Sequence, residues 1–192
     1  MSFYHVGFAV PDLAAAMREL RAAAGIGWAE PRSGRIGEWE YRIVFSRPGP
    51  PFVELIEAVG PGGPWDASDG PRFHHLGFWS EDAEAGSRRL SEGGFPVEFS
   101  GCPFGRPYVY HHLKGLGAHV ELVDAALQAG FLATWQPGGP PMPALPEPVR
   151  EPVLEPVQTQ APVREPVREA PHAPQAPQAP RAPRAARKQE DP

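Results

Sequence analysis

Two short stretches of the sequence resemble each other closely: FYHVGFAV at residues 3–10 and FHHLGFWS at residues 73–80. Extended without gaps to residues 20 and 90, the two segments share eight of eighteen residues. A second match ends each repeat, because VELIEA at 53–58 resembles VELVDA at 120–125. Two matches in the same order at nearly the same offset indicate that one unit of about 60 residues is used twice.

Each unit has the same order of predicted elements. The alternating pattern of its opening segment is typical of a half-buried strand. An acidic turn then begins a helix near Asp12 in the first unit and near Ser80 or Asp82 in the second. Three more strands are predicted per unit: GWAEP (27–31), EWEYRIVFS (38–46) and PPFVELIEAV (50–59), then PVEFS (96–100), RPYVYHHL (106–113) and AHVELVD (118–124). This order predicts an α+β domain in which two four-stranded sheets pack together.

Composition divides the chain into a folded part and a tail. Sixteen of the 27 prolines lie after residue 136, and no aromatic residue follows Trp135. A Pro-rich segment without an apolar face is typical of disorder. We therefore predict one folded domain over residues 1–135, with modules at about 3–60 and 73–126, and a disordered Pro-rich tail over 136–192.

Charge and composition exclude several functional classes. The formal net charge is -5, and the acidic excess lies in the predicted folded domain, which argues against nucleic acid as a partner. The single cysteine, Cys102, excludes an internal disulfide. No apolar run reaches the roughly 18 residues of a membrane helix, and the N-terminus lacks the pattern of a signal peptide. We therefore expect a cytoplasmic protein without a membrane partner.

One histidine and one glutamate recur at matching places in the two repeats. His5 and His75 hold the third position of the opening segments, and Glu54 and Glu121 lie in the middle of the closing ones. A glutamate in a central strand is costly to bury without a partner. If the repeats pack with approximate two-fold symmetry, the four side chains converge on one point.

Two imidazoles and two carboxylates form a donor set suited to one divalent ion, such as zinc, nickel, cobalt, manganese or iron. Each residue alone has an ordinary alternative, because a histidine on a strand is often structural and a glutamate on an exposed strand face is common. Recurrence of all four by accident is less expected, but duplication without function would also preserve them, so the pattern alone leaves the metal site and the structural interpretation both open. The pair of His74 and His75 leaves a one-residue ambiguity, and the repeat offset selects His75.

The segments YHVGFAVPDL, VELIEA, FHHLGFW and GAHVELVD together resemble the vicinal oxygen chelate superfamily, which includes glyoxalase I, methylmalonyl-CoA epimerase, extradiol dioxygenases and bleomycin-resistance proteins. The resemblance spans residues 3–126. It implies paired βαβββ modules that form a cupped mixed sheet around a metal ion. Each module then supplies one ligand from its first strand and one from its last, namely His5, Glu54, His75 and Glu121.

The resemblance leaves two subfamilies open. The set of His, Glu, His and Glu is that of glyoxalase I enzymes, whereas epimerases commonly carry Gln where Glu54 stands. In contrast, RFHHLGFW and YHHLKGLGAHVEL look more like epimerase segments, and the chain lacks the Phe-Tyr pair that glyoxalases often carry at the end of the first helix. Epimerases also use a second glutamate of the first module, for which Glu38 and Glu40 are the nearest candidates.

Both reactions remove a proton from a carbon next to a carbonyl, and the metal ion acts as a Lewis acid. We therefore expect a metal-dependent isomerase or lyase with Glu121 as the first candidate for the base and Glu54 or Glu40 as its counterpart. The substrate would be an acyl-CoA or the thiol adduct of a 2-oxoaldehyde. Candidates for contacts with its acidic groups are scattered arginines: Arg35, Arg42, Arg72 and Arg106.

Two alternatives stay open at this point. One is a metal-free protein of the same fold that binds a drug or metabolite, although such a protein has no physical need for four ligands. The other is an extradiol dioxygenase, whose two-histidine, one-carboxylate triad leaves positions open that a fourth protein ligand would occupy. The sequence also leaves open whether the chain forms a homodimer, and it identifies no partner for the tail.

Overall fold

The computed structural model describes residues 1–145, and the greater part of the predicted tail, 146–192, lies outside the described residues. No helix within residues 1–145 is long and apolar enough to cross a bilayer. The elements in chain order are β1 Ser2–Ala9, α1 Leu13–Ala24, β2 Gly27–Trp28, β3 Arg32–Ile36, β4 Trp39–Arg47, β5 Phe52–Val59, β6 Arg72–Ser80, α2 Ala83–Glu92, β7 Val97–Ser100, β8 Tyr108–Leu113, β9 Ala118–Asp124 and α3 Gln128–Trp135. Short 3-10 turns lie at Cys102–Phe104 and Ala125–Leu127.

The helices of the two modules begin at equivalent aspartates. The carboxylate of Asp12 accepts a hydrogen bond of 2.8 Å from the backbone nitrogen of Ala15 at the start of α1. Asp82 accepts one of 2.8 Å from the backbone nitrogen of Ala85 at the start of α2. Such caps satisfy backbone donors that the helix itself leaves free. The predicted acidic helix starts are thus confirmed.

The nine strands of the described residues form one mixed sheet in the order β2-β4-β5-β1-β6-β9-β8-β7, with β3 paired to β4. Within each module the first strand runs parallel to the last, so that β1 pairs with β5 and β6 pairs with β9. The modules meet where β1 and β6 pair antiparallel. The predicted α+β fold of two modules is confirmed. The expectation that two separate sheets pack together is wrong, because the opening strands join edge to edge.

The two faces of the sheet have different coverings. On one face α1 and its neighbouring strands bury a small apolar cluster that includes Leu13, Val44 and Leu55. The opposite face, which we call the inner face, carries a larger aromatic cluster that includes Phe45 and Trp79. Helix α3, which the repeat does not predict, packs on this aromatic cluster. The inner face is therefore partly covered by a segment that follows the second module.

The segment after α3 keeps contact with the first module. Gln136 is buried, its amide oxygen accepts a 2.8 Å hydrogen bond from the backbone nitrogen of Gly49, and its amide nitrogen donates to the carbonyl of Gly49 at 3.2 Å. Arg47 donates to the carbonyl of Trp135 at 2.6 Å. These bonds fasten α3 to the turn between β4 and β5.

Candidate metal centre

The four side chains that the repeat selects meet on the inner face. His5 on β1 and His75 on β6 place their Nε2 atoms 2.6 Å apart. Oε2 of Glu54, on β5, lies 2.8 Å from Nε2 of His5 and 3.2 Å from that of His75. Oε2 of Glu121, on β9, lies 3.3 Å and 3.6 Å from the same two nitrogens. All four side chains are buried.

This arrangement fits a divalent ion. Ligand atoms that bind one ion at roughly 2.0–2.2 Å lie about 3 to 3.5 Å from one another. The nitrogen-to-oxygen separations of the cluster run from 2.8 to 3.6 Å, close to that spacing, and the two imidazole nitrogens are closer, at 2.6 Å. Ligand atoms of His5, His75 and Glu121 all lie within 4.8 Å of one another, and Glu54 adds an oxygen beside both imidazoles. Binding of an ion by these residues stays a prediction, and the donor set and its spacing suit it.

The glycine in each repeated motif makes room for the histidine of the other motif. Across the junction of β1 and β6, His5 pairs with Gly77 and His75 pairs with Gly7. A Cβ atom on Gly77 would overlap the imidazole of His5, and one on Gly7 would overlap the imidazole of His75. Any side chain at either glycine would therefore displace a residue of the cluster.

Each opening strand also has one extra residue directly before its histidine. The pairing between β1 and β6 shifts by one residue at Tyr4 and again at His74, so neither residue has a partner on the opposite strand. Such β-bulges re-aim side chains and are frequent next to functional sites. The ring of Tyr4 packs edge-on against His5, and Nδ1 of His74 lies 2.9 Å from Nδ1 of His75. His74 therefore contacts the cluster from behind and is not one of the four.

The two carboxylates of the cluster have different pKa values. Burial raises the pKa of Glu121 to about 7, and the charge of Glu54 adds to the rise, while His75 and the hydroxyl of Tyr110 partly offset it. Burial acts in the same direction on Glu54, but its contacts with His75 and His5 outweigh burial and hold its pKa below the usual range. Without a metal, Glu54 is therefore charged at neutral pH, whereas Glu121 gains or loses a proton there.

A cavity of about 490 Å³ lies over the cluster. Glu54 and Glu121 line it, while His5 and His75 are completely buried behind them. Much of its wall is aromatic and includes Tyr41, Trp65, Trp79, Tyr108, Tyr110 and Trp135. Its basic lining residues, among those that the structure describes, are Arg32 and Arg106. The cavity therefore combines an apolar wall, two carboxylates and two cationic groups.

Glu40, the third candidate acid or base, does not join the cluster. It is exposed on β4 and pairs with Arg35. Successive side chains of a strand point to opposite faces, and on β4 it is the next residue, Tyr41, that lines the cavity. Of the three predicted acid and base groups, only Glu54 and Glu121 therefore face the cavity.

The sequence selected the lining of the cavity only in part. Of the four arginines named as candidates only Arg106 lines the cavity, and Arg32 was not among them. Trp65 lies in the linker between the modules, where it is buried and donates to the hydroxyl of Tyr110 at 3.2 Å. Trp135 belongs to α3, which has no counterpart in the first module.

Comparisons with known proteins agree with this architecture. A family model described as the Glyoxalase/Bleomycin resistance protein/Dioxygenase superfamily matches residues 4–110. The chain is 32% identical over 131 residues to an ethylmalonyl-CoA/methylmalonyl-CoA epimerase of Cereibacter sphaeroides, an alignment that covers 62% of this chain and 93% of the relative.

Solved structures of methylmalonyl-CoA epimerases share the fold. A variant of the Streptomyces coelicolor enzyme in complex with 2-nitronate-propionyl-CoA is 20% identical with a TM-score of 0.50, over 66% of this chain and 98% of that one. A methylmalonyl-CoA epimerase in complex with methylmalonyl-CoA and NH4+ is also 20% identical, with a TM-score of 0.50, over 65% and 94% of the two chains. The predicted resemblance is thus confirmed, and the chain belongs to the glyoxalase/bleomycin resistance protein/dioxygenase superfamily, with the vicinal oxygen chelate fold.

Proposed function

We propose that the protein is a metal-dependent isomerase that transfers a proton at a carbon next to a carbonyl, with the CoA ester of a 2-substituted malonate as its substrate. The observation that carries this proposal is the convergence of His5, Glu54, His75 and Glu121 beneath one cavity. The 32% identity to an ethylmalonyl-CoA/methylmalonyl-CoA epimerase supports the substrate class. A divalent ion held by the four residues would act as a Lewis acid toward the carbonyl of the substrate.

The two carboxylates suit the proton transfer itself. Inversion at a carbon requires removal of a proton from one side and its return to the other. Glu54 and Glu121 come from β5 and β9, on opposite sides of the junction between the modules. Oε2 of Glu121 lies farther from the two imidazole nitrogens, at 3.3 and 3.6 Å, than Oε2 of Glu54, at 2.8 and 3.2 Å, which favours Glu121 as the base that removes the proton. Glu54 is then the counterpart that faces the same cavity.

The cavity wall suits an acyl-CoA. Its aromatic side chains limit the access of water to the reacting carbon. Arginine binds carboxylate and phosphate oxygens through paired N–H groups, and both kinds of oxygen occur in the CoA ester of a malonate. Arg32 and Arg106 supply such groups at the cavity, and we assign them to the acidic parts of the substrate.

A second candidate function is that of a glyoxalase-like isomerase or lyase acting on the thiol adduct of a 2-oxoaldehyde. The acidic residues of the cavity favour this candidate. Among the described lining residues they are Glu54 and Glu121, and Glu40 lies outside the cavity. Two carboxylates within the metal set match the glyoxalase pattern of ligands without a further base.

Deuterium exchange distinguishes the candidates. The protein would be incubated in D2O with methylmalonyl-CoA, ethylmalonyl-CoA or thiol adducts of methylglyoxal, and deuterium incorporation would be read by mass spectrometry. We expect exchange into the acyl-CoA substrates, its loss in Glu121→Gln and with EDTA, and full exchange in Glu40→Gln as the matched control. Exchange into the thiol adducts alone would favour the second candidate. Tight binding of a substrate without exchange or bound metal would contradict both and indicate a binding protein.

A further inference from the structure

The geometry points to His74 as a positioning residue that determines which nitrogen of His75 is free to bind the metal. This inference rests on the metal centre proposed above. His74 occupies the bulge of β6, and its imidazole is buried directly behind His75.

The imidazole of His74 lies between two fixed partners. Its Nε2 is 2.9 Å from the carbonyl oxygen of Pro64, in the linker between the modules. A carbonyl oxygen only accepts, so Nε2 of His74 carries the proton and donates it. In the neutral imidazole Nδ1 is then an acceptor, and this atom lies 2.9 Å from Nδ1 of His75.

The consequence for His75 follows from the same rule. Because Nδ1 of His74 accepts, Nδ1 of His75 must carry a proton and donate it. A neutral His75 with its proton on Nδ1 has a lone pair on Nε2, the nitrogen that faces His5 and Glu54. This is the tautomer that a metal ligand bound through Nε2 requires, and metal-binding histidines commonly hold it through such a hydrogen bond.

The position of His74 is itself supported. The backbone carbonyl of this bulged residue accepts a 2.9 Å hydrogen bond from Nδ1 of His119, on the neighbouring strand β9. The linker carbonyl, the bulge and β9 together keep His74 in the accepting form.

The effect can be tested by two substitutions at the same position. His74→Phe keeps a ring but removes the acceptor, and we expect the affinity for Zn²⁺ or Co²⁺ to fall about 10- to 100-fold. His74→Asn keeps an acceptor oxygen at the position of Nδ1 and should restore affinity to within about threefold of the wild type. Affinities would be measured by competition with a chromophoric chelator, and thermal unfolding would verify the fold of each variant.

A direct readout is available from the wild type alone. Nitrogen NMR of the metal-free protein with labelled histidine reports whether Nδ1 of His75 carries a proton. We expect a proton on Nδ1 of His75 in the wild type and in His74→Asn, and a fraction of molecules without it in His74→Phe. A wild-type His75 without a proton on Nδ1, or unchanged metal affinity in His74→Phe, would overturn the role of His74. Failure of the wild type to bind either metal would instead overturn the metal centre itself.

Discussion

The opening strands β1 and β6 carry the same motif but support their histidines differently. In the second module Nδ1 of His75 has a hydrogen-bond partner in His74. In the first module the equivalent position is Tyr4, whose ring stacks on Trp79 with centroids 4.0 Å apart. Nδ1 of His5 is buried without a hydrogen-bond partner among the described residues. The bulged residue thus provides a hydrogen-bond partner for the histidine in one module and packs in an aromatic core in the other.

The closing strands show a second difference between the modules. Glu54 and Glu121 occupy equivalent positions, yet the pKa of Glu121 is raised to about 7 while that of Glu54 is held low. Both carboxylates are buried, and the closer contacts of Glu54 with the two histidines account for the opposite directions. An approximate symmetry of sequence therefore produces two chemically distinct carboxylates at one site.

Among the variants that test this difference between the modules, substitutions of the two motif glycines are expected to change metal affinity most. In Gly7→Ala and Gly77→Ala the new Cβ displaces His75 and His5 respectively, and we expect metal affinity to fall by more than about 100-fold in each. Because His75 is held by His74, it yields less easily than His5. Gly7→Ala should therefore also lose more stability, within the roughly 1–3 kcal/mol typical of overpacking. Chelator competition and urea unfolding measure the two effects.

The matched control for these variants is Gly115→Ala. Within residues 1–145 no atom lies within 4 Å of a Cβ placed on Gly115, so the unfolding free energy of this variant should change by less than about 0.5 kcal/mol. Wild-type metal affinity in either Gly7→Ala or Gly77→Ala would contradict the packing of each histidine on the opposite glycine. Equal destabilisation by both would contradict the proposed difference in rigidity between the two modules.

The repeat allowed the fold and the four converging residues to be predicted, because both depend on a pattern that is written twice. Features that occur once were not predicted, and these include α3 and the polar strand β3, whose sequence RSGRI lacks a continuous apolar alternation. Glu40 does not line the cavity, because a shift of one residue moves a side chain to the other face of a strand. The roles of the glycines and of His74 depend on the register of β1 against β6, which no local pattern reveals.

A change of pH is expected to have an effect of intermediate size on the affinity for a metal ion. In the metal-free protein Glu121 must release a proton before it can bind an ion, since its pKa is raised to about 7. Metal affinity should therefore rise by up to about tenfold per pH unit below pH 7 and level off above it. Glu54→Gln removes a charge that raises the pKa of Glu121. The inflection in the profile of metal affinity against pH should therefore move to lower pH in this variant.

The control for this titration is Glu121→Gln, in which the inflection near pH 7 should disappear even though overall affinity is weaker. Affinities for Co²⁺ measured by chelator competition between pH 6 and 8.5 would provide the profiles, with the range chosen around the value of about 7 for Glu121. An inflection that persists unchanged in Glu121→Gln would assign the proton to another group and remove the proposed asymmetry between the carboxylates.

The smallest effect is expected from the residue that occupies the bulge of the first module. Tyr4 contacts Trp79 and His5 through its ring, which Tyr4→Phe retains. We expect the free energy of unfolding to change by less than about 0.5 kcal/mol and metal affinity by less than about twofold. Comparison of the metal affinities of Tyr4→Phe and His74→Phe in the same competition assay tests whether the two bulges differ in function. A loss of affinity in Tyr4→Phe equal to that in His74→Phe would show that both bulges orient their histidines, and the difference between the modules would then lie in the carboxylates alone.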